Sequence, residues 1–378
     1  LALLLARRDI PVTLLEEHQD FERDFRGDTI HPSTMELMDQ LGLADRLLEL
    51  PHTKLHTFGL QTPQGSVTIA DLRRLKTRFP YITFMPQARF LEFITAEARR
   101  EPSFRLVMGA GVQGLVVENG VVRGVRYRGR DGWHEIRAPL TVGADGRFSR
   151  VRRLAGFEPI GTAPPMDVLW FRLPRRPDEP HGAVGRIANG HFMAMLDRGE
   201  QWQIAYAIPK GSYRELREAG ITALRSSVAG VAPELADRVA QLEDWKDVSL
   251  LSVESSRVPR WYRPGLLLIG DAAHVMSPVG GVGINYAIQD AVVAANVLSG
   301  PLLSGRLHLR DMAEVQRQRA WPTRVIQAIQ GFLQRRVVAT ALDPNATFAP
   351  PAFLRLPLLR DLPARLIAFG VRPVRLEQ

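Results

Sequence analysis

The stretch Gly265 to Asn296, GLLLIGDAAHVMSPVGGVGINYAIQDAVVAAN, decides the fold. It opens on the aliphatic run Leu266 to Ile269, short enough for a strand buried on both faces. Gly270-Asp271 then sets a carboxylate at the strand's carboxyl end, where open α/β sheets bind ligands. After a Ser277-Pro278 turn come Gly280-Gly281-Val282-Gly283, whose three glycines let backbone approach a ligand with no Cβ in the way. From Ile284 the spacing predicts a helix with Ile284, Ala287, Ile288, Ala291, Val292 and Ala295 on one side. Its first N–H groups lack intrahelical partners, and its positive dipole end faces whatever lies over the glycines. A ligand with a hydroxylated chain for Asp271 and an anionic ring for the helix start suits this arrangement. Reduced flavin is such a ligand. A glycine-rich turn that binds nothing is the alternative, because short glycine motifs recur by chance.

At full length the string resembles the second FAD fingerprint of the flavin-dependent aromatic hydroxylases, the single-component monooxygenases typified by p-hydroxybenzoate hydroxylase. The resemblance implies FAD, with Gly270, Asp271, Pro278, Gly281, Gly283, Ile284 and Asn285 around it. Asp271 would hold the ribityl chain, the helix start would face the anionic ring, and Pro278 with the glycines would leave room for oxygen. It also implies the reaction. NAD(P)H reduces the flavin, O2 adds to give a C4a-hydroperoxyflavin, and the distal oxygen passes to an aromatic or quinone-like small molecule. NAD(P)H is then a transient reductant, and no separate nicotinamide-binding unit is visible in the sequence.

The beginning of the chain reads as the end of a helix (LALLLARR), broken by Asp9-Ile10-Pro11 and followed by a short strand, Val12 to Leu15. Glu16 stands at the tip of that strand, the place of a ribose-binding acid in a βαβ unit. The matching G-x-G-x-x-G belongs about 20 residues earlier, upstream of residue 1, so the first strand and phosphate loop are expected to be missing. An amphipathic start unrelated to nucleotides is the other reading. Arg26 and Gln87 match positions that reach FAD in the family; by chemistry alone they are a loop arginine and a polar residue opening a helix. Pro32 and Gly42 frame a further short helix.

Glu118-Asn119-Gly120 marks a hairpin turn in a strand-rich meander. The resemblance makes Val112 the position whose backbone meets the adenine. Gly143-Ala-Asp145-Gly146 after an apolar strand and before a basic helix resembles the family's DG fingerprint, which puts Asp145 on the FAD. From Met166 to Pro209 the pattern turns to strands again, predicting a sheet that roofs the flavin. His191 shares a face with Met193 and Met195, Tyr206 with Trp202 and Ile204, and Arg172 with Trp170. Alternation does not decide which face points inward, since both are partly apolar. His191, Tyr206 and Arg172 are the substrate-pocket candidates, and no catalytic base is identified. Tyr213 to Arg238 reads as helical cover for the far side of the sheet, and Val248 to Arg257 as a returning strand.

The expected architecture is therefore α/β, with a Rossmann-like FAD-binding domain (1–54, 86–159 and 248–300) interleaved with an antiparallel substrate domain (55–85 and 160–247). A C-terminal helical extension (301–378) follows, with Val325, Ile326, Ile329, Phe332 and Leu333 at core spacing. Residues 306–378 carry twelve arginines against five acids, so the last leucine- and arginine-rich stretch either docks on the protein or lies on an anionic membrane face. No apolar run approaches the ~18 residues of a membrane span. The absence of cysteine excludes disulfides, thiolate metal sites and thiol catalysis, and is compatible with a cytoplasmic location. No metal is expected: no H-E-x-x-H occurs, and Pro51 argues against a helix that would pair His52 with His56. Despite a net charge of +9, no basic stripe with interleaved aromatics points to nucleic acid. Three rivals remain. A flavin halogenase would carry W-x-W-x-I-P, where this chain has Trp202-Gln-Ile-Ala-Tyr-Ala-Ile-Pro209. A flavin-dependent reductase of lipid or isoprenoid double bonds and a remnant that holds FAD poorly are the others.

Overall fold

Leu266–Leu268 is a strand with every residue buried, as the aliphatic run requires. It pairs in parallel with Thr141–Gly143 and antiparallel with Tyr262–Arg263. The computed structural model describes residues 1–22, 28–63, 65–179, 181–343 and 360–377. A second parallel pair joins Val12–Glu16 to Phe104–Met108, and among the described residues no strand connects the two pairs. Helices Ala2–Ala6, Gln87–Ala98 and Gly283–Leu303 cover them. Leu3, Leu4, Leu5, Phe90, Val292 and Ala295 fall in one buried cluster. The meander Gly111–Glu118, Val121–Gly129 and Gly132–Arg137 turns at Asn119 (φ 49°) and Gly120 (φ 77°), the left-handed pair a two-residue hairpin requires.

The largest sheet has seven strands in the order Ser249–Leu251, Met166–Pro174, Gln201–Pro209, His191–Asp197, Ala183–Ala188, Thr57–Thr62, Gly65–Asp71. Its two faces differ. Leu169, Phe171, Met193, Met195, Trp202, Ile204 and Tyr206 pack against Leu224, Val228 and Val231 of the helix Ile221–Val231. Val168, Trp170, Phe192, Ala205 and Ala207 point the other way and meet Val253, Val279, Val338 and Leu342. Val279 belongs to the glycine-rich loop, so this second face is the inner one. Ile82–Phe84, read in the sequence with the strands of this sheet, instead pairs with Thr29–Ile30 and Thr53–Leu55. The predicted strand Val248 to Arg257 is two strands, Ser249–Leu251 and Ser255–Arg257, in different sheets.

The helix Leu309–Leu333 buries Ile326 but leaves Phe332 55% exposed, which corrects the core placement of Phe332: the buried stripe runs through Thr323, Ile326, Gln327 and Gln330. Residues 360–377 dock on the protein. The tail helix Leu362–Phe369 buries Ala364 and Ala368, and Ile367 and Phe369 pack beside Leu55, Phe84 and Leu196. Beyond it, Asn296 Nδ2 donates to Arg375 O (2.8 Å), and Leu376 N donates to Gln40 Oε1 (3.0 Å). No helix is long and apolar enough to cross a membrane among the described residues.

Candidate cofactor and substrate site

Gly270–Ala272 forms a tight turn at the end of Leu266–Leu268, with Gly270 at φ 58°. The Gly270 N–H donates to Asp290 Oδ2 (3.0 Å), which fixes the backbone just ahead of the half-buried Asp271. Asp290 lies about two turns into the helix Gly283–Leu303 and is wholly buried. It also accepts from His274 Nε2 (2.6 Å) and Arg319 Nε (2.7 Å), both buried, and the Arg319 guanidinium sits 5.3 Å from the Tyr286 ring centroid. Burial alone would push Asp290 up; the charges and hydrogen bonds of His274 and Arg319 outweigh it and hold the carboxyl below its usual range.

Residues 275–279 are held from behind by three glutamines of the following helical segment. Gln327 Nε2 donates to Val275 O (3.0 Å), Gln330 Nε2 to Ser277 O (2.9 Å) and Val279 O (2.7 Å), and Gln334 Nε2 to Ser277 Oγ (2.6 Å). Gly280 (φ 82°) and Gly281 (φ 61°) take left-handed conformations that a side chain would strain. A Cβ on Gly283 would meet nothing within 4 Å, so the helix start opens onto free space. The first intrahelical bond runs from Tyr286 N to Val282 O (3.0 Å), and no side chain caps the helix. The N–H groups of Gly283, Ile284 and Asn285 therefore precede the ladder.

The Asn285 side chain is committed elsewhere. Its Oδ1 accepts from His31 N (3.0 Å) and Thr34 Oγ1 (2.7 Å), and its Nδ2 donates to Thr29 O (3.3 Å) and Gly281 O (3.4 Å). It pins the helix start to residues 29–34, and only its backbone is left to face a ligand. His31, which sequence reasoning passed over, is fully buried beside Gly281: a Cβ on Gly281 would lie 3.7 Å from its Nε2.

The other sequence candidates lie on separate elements. Glu16 ends its strand and accepts from His18 N (2.9 Å) and Nδ1 (2.8 Å). The Val112 carbonyl accepts from Arg150 Nη1 (3.1 Å). The Asp145 carboxylate turns onto its own helix, accepting from Ser149 Oγ (2.5 Å) and Val151 N (2.9 Å). Gln87 opens its helix, and its N–H donates to Asp28 Oδ1 (3.0 Å). Asp28 pairs with Arg198, whose Nε reaches Gln203 Oε1 (3.0 Å) on the inner face of the sheet. Burial lowers Arg198, Asp28 opposes that shift, and the neighbouring Arg172 adds to it. Arg172 thus stands on the inner face with Trp170 and near Arg198. Arg26 lies outside the described residues.

His191 and Tyr206 are on the other face. Tyr206 Oη is hydrogen-bonded to His191 Nδ1 (2.7 Å) and Ser227 Oγ (2.6 Å), under the covering helix. Burial raises Tyr206 to about 12 and lowers His191. Both point away from the glycine loop, which corrects their selection as pocket residues: the larger apolar side chains of their strands belong to the helix-covered side. A cavity of about 190 Å³ lined by Thr53, Lys54, Leu55, Phe84, His181, Gly182 and Asp197 involves no residue of the glycine loop. Among the described residues no cluster of His, Asp and Glu could hold a metal ion.

Residues 1–327 match the family described as FAD binding domain. The chain is similar to 6-methylpretetramide 4-monooxygenase of Streptomyces rimosus, with 35% identity over 99% of this chain and 90% of that protein. It is 30% identical to 12-dehydrotetracycline 5-monooxygenase/anhydrotetracycline 6-monooxygenase of Streptomyces rimosus subsp. rimosus, over 94% of this chain and 69% of that one. Among solved structures, OxyS anhydrotetracycline hydroxylase from Streptomyces rimosus superposes with a TM-score of 0.74 at 25% identity, over 100% of this chain and 74% of that chain. PqsL from Pseudomonas aeruginosa shares the fold, with a TM-score of 0.75 at 19% identity over 91% and 93% of the two chains. The chain belongs to the FAD-binding family of flavoprotein aromatic monooxygenases and is an FAD-dependent monooxygenase.

Proposed function

We propose that this enzyme uses NAD(P)H and O2 to hydroxylate a planar, fused-ring aromatic or quinone-like small molecule, of the kind named for its relative acting on 6-methylpretetramide. The reading rests on one observation: the inner face of the large sheet, with Trp170 and Phe192, packs onto Val279 of the glycine loop. That contact puts aromatic side chains beside the glycine loop, which supports a flat substrate lying next to a flat cofactor. The residues fit FAD on their own chemistry. Unbonded N–H groups and free space over Gly283 suit a ring that gains negative charge, and Asp271 at the strand end suits a hydroxylated chain. Bound there, FAD supplies the two-electron store and the site at which dioxygen is activated.

In this reading residues 1–54, 86–159 and 248–300 carry the cofactor and the seven-stranded sheet holds the substrate. Asp271 takes the ribityl hydroxyls, Glu16 the adenosine ribose, the Val112 backbone the adenine, and Arg26, Gln87 and Asp145 complete the cradle. Gly281, Gly283 and Ile284 present backbone to the ring. The helix start offers fixed donors where charge develops, beside the apolar part of the inner face formed by Trp170, Phe192 and Val279. Pro278 and the glycines leave the ring edge uncrowded. Arg172 and Arg198 would attract an acidic hydroxyl or enolate of the substrate.

The test is turnover by the purified full chain with FAD, NADH or NADPH and candidate fused-ring phenols. Substrate-dependent oxidation of the nicotinamide, with one labelled oxygen appearing in product under heavy-isotope dioxygen, is expected. A hydrogenated product or one that requires halide would overturn it.

A further inference from the structure

We propose that Arg198 and Gln203 determine substrate specificity by binding a vinylogous acid, with its enolate oxygen on Arg198 and its conjugated carbonyl on Gln203 Nε2. Resting on the substrate reading above, this names the oxygenated edge by which the sheet holds a fused-ring molecule. Strand register lays the inner face out in rows about 7 Å apart. Phe192 and Ala207 are cross-strand partners in the first row, Ala194 and Ala205 in the second, Arg172 and Gln203 in the third. The first row packs on Val279 of the glycine loop. In the second, both alanines are half-buried and carry only a methyl, so a flat ring can lie over them. The third row is polar, and there the edge of such a ring would end.

The hydrogen bonds of that polar end fix what it can receive. Arg198 Nε donates to Gln203 Oε1 (3.0 Å), and a guanidinium only donates, so the Gln203 amide is held with its oxygen toward Arg198. Its Nε2 then points elsewhere on a side chain whose residue is only 3% exposed. Arg198 Nη2 pairs with Asp28, which also takes the Gln87 N–H. Among the described residues neither Gln203 Nε2 nor Arg198 Nη1 has a hydrogen-bond partner, and neither atom is sealed from solvent. The Arg198 side chain keeps 15% of its surface open, so a ligand can reach it. Arg172, close enough to lower the Arg198 pKa, adds a second positive charge to this end. The acceptors Asp28 and Gln203 Oε1 are already engaged. What stays open is one cationic donor and one neutral donor, which match two conjugated oxygens sharing a negative charge. A neutral phenol, which must donate its proton, is the poorer match.

The two oxygens can be separated by substitution. One probe is 2-hydroxy-1,4-naphthoquinone, an acidic enol ionised at neutral pH. The other is its methyl ether, which keeps both carbonyls and carries no charge. Binding of each to the full chain in saturating FAD is measured by equilibrium dialysis, with FAD binding followed in every variant as the check on folding. The wild-type chain should prefer the enolate by roughly tenfold or more. Arg198→Met should bring that preference toward one, and Arg198→Lys, which keeps the charge, should retain it. Gln203→Leu should weaken both probes by about three- to tenfold and leave the preference standing. A wild type that binds the two probes alike would overturn the proposal. So would an undiminished preference in Arg198→Met, or a Gln203→Leu chain that binds both as tightly as wild type. A wild type that binds neither would instead overturn the fused-ring substrate reading beneath it.

Discussion

The back of the large sheet holds a half-buried histidine and the glycine loop a fully buried one, and the two are treated in opposite ways. Behind the sheet, His191 has both ring nitrogens within reach of hydroxyls, Tyr206 Oη at 2.7 Å and Ser227 Oγ at 3.1 Å. At the loop, His31 spends one nitrogen on Ile367 O and leaves the other unmet. A region whose polar groups satisfy one another is built for packing. A region that leaves a row of backbone donors at an uncapped helix start, with free space at Gly283, is built to receive something.

The contrast can be broken most forcefully from behind the loop. Arg319→Met leaves the wholly buried Asp290 without its cation, and a loss of about 3–5 kcal/mol is expected in chemical denaturation. FAD retention should fall with it, because Gly270 hangs from the same carboxylate. A variant that unfolds like wild type would remove Asp290 from the account of the loop. Acid gives the next effect. His31 is lowered from 6.5 to about 4 in the folded chain, so its contribution is intact above pH 6.5. It is lost as pH falls from there toward 4, where the unfolded chain takes up a proton that the folded one refuses. The cost approaches about 3 kcal/mol. Urea titrations across that range should show a slope that His31→Gln removes. The smallest change is expected at the back of the sheet. Tyr206→Phe should cost about 1–2 kcal/mol, the worth of a buried hydroxyl's bonds, with FAD affinity and substrate KM unmoved. A shift in either would erase the distinction between the two regions.

Much of this was readable before any coordinates. The strand, the Gly270-Asp271 turn, the glycines and the helix form one continuous string in which each residue type has a single geometric use, and Asn119-Gly120 announced its hairpin. The faces of the large sheet were not readable, because Trp202, Ile204 and Tyr206 are no more apolar than Val168 and Trp170 are. Only the packing of Leu224 and Val228 on one side and Val279 on the other separates them. Gln327, Gln330 and Gln334 share one helix face in the sequence, yet carboxamides at that spacing read as a solvated stripe. Their role depends on carbonyls and a serine hydroxyl some fifty residues away. His31 had no local signal at all; its partners come from residues 285 and 367.

The glutamine clamp carries one more implication. Carboxamides neither gain nor lose protons, so the grip of Gln330 and Gln334 on residues 277–279 is the same in acid as in alkali. Whatever pH sensitivity this loop displays must enter from its flanks, through His31 on one side or the Asp290 cluster on the other. The loop itself is a fixed rail whose tension those neighbours set.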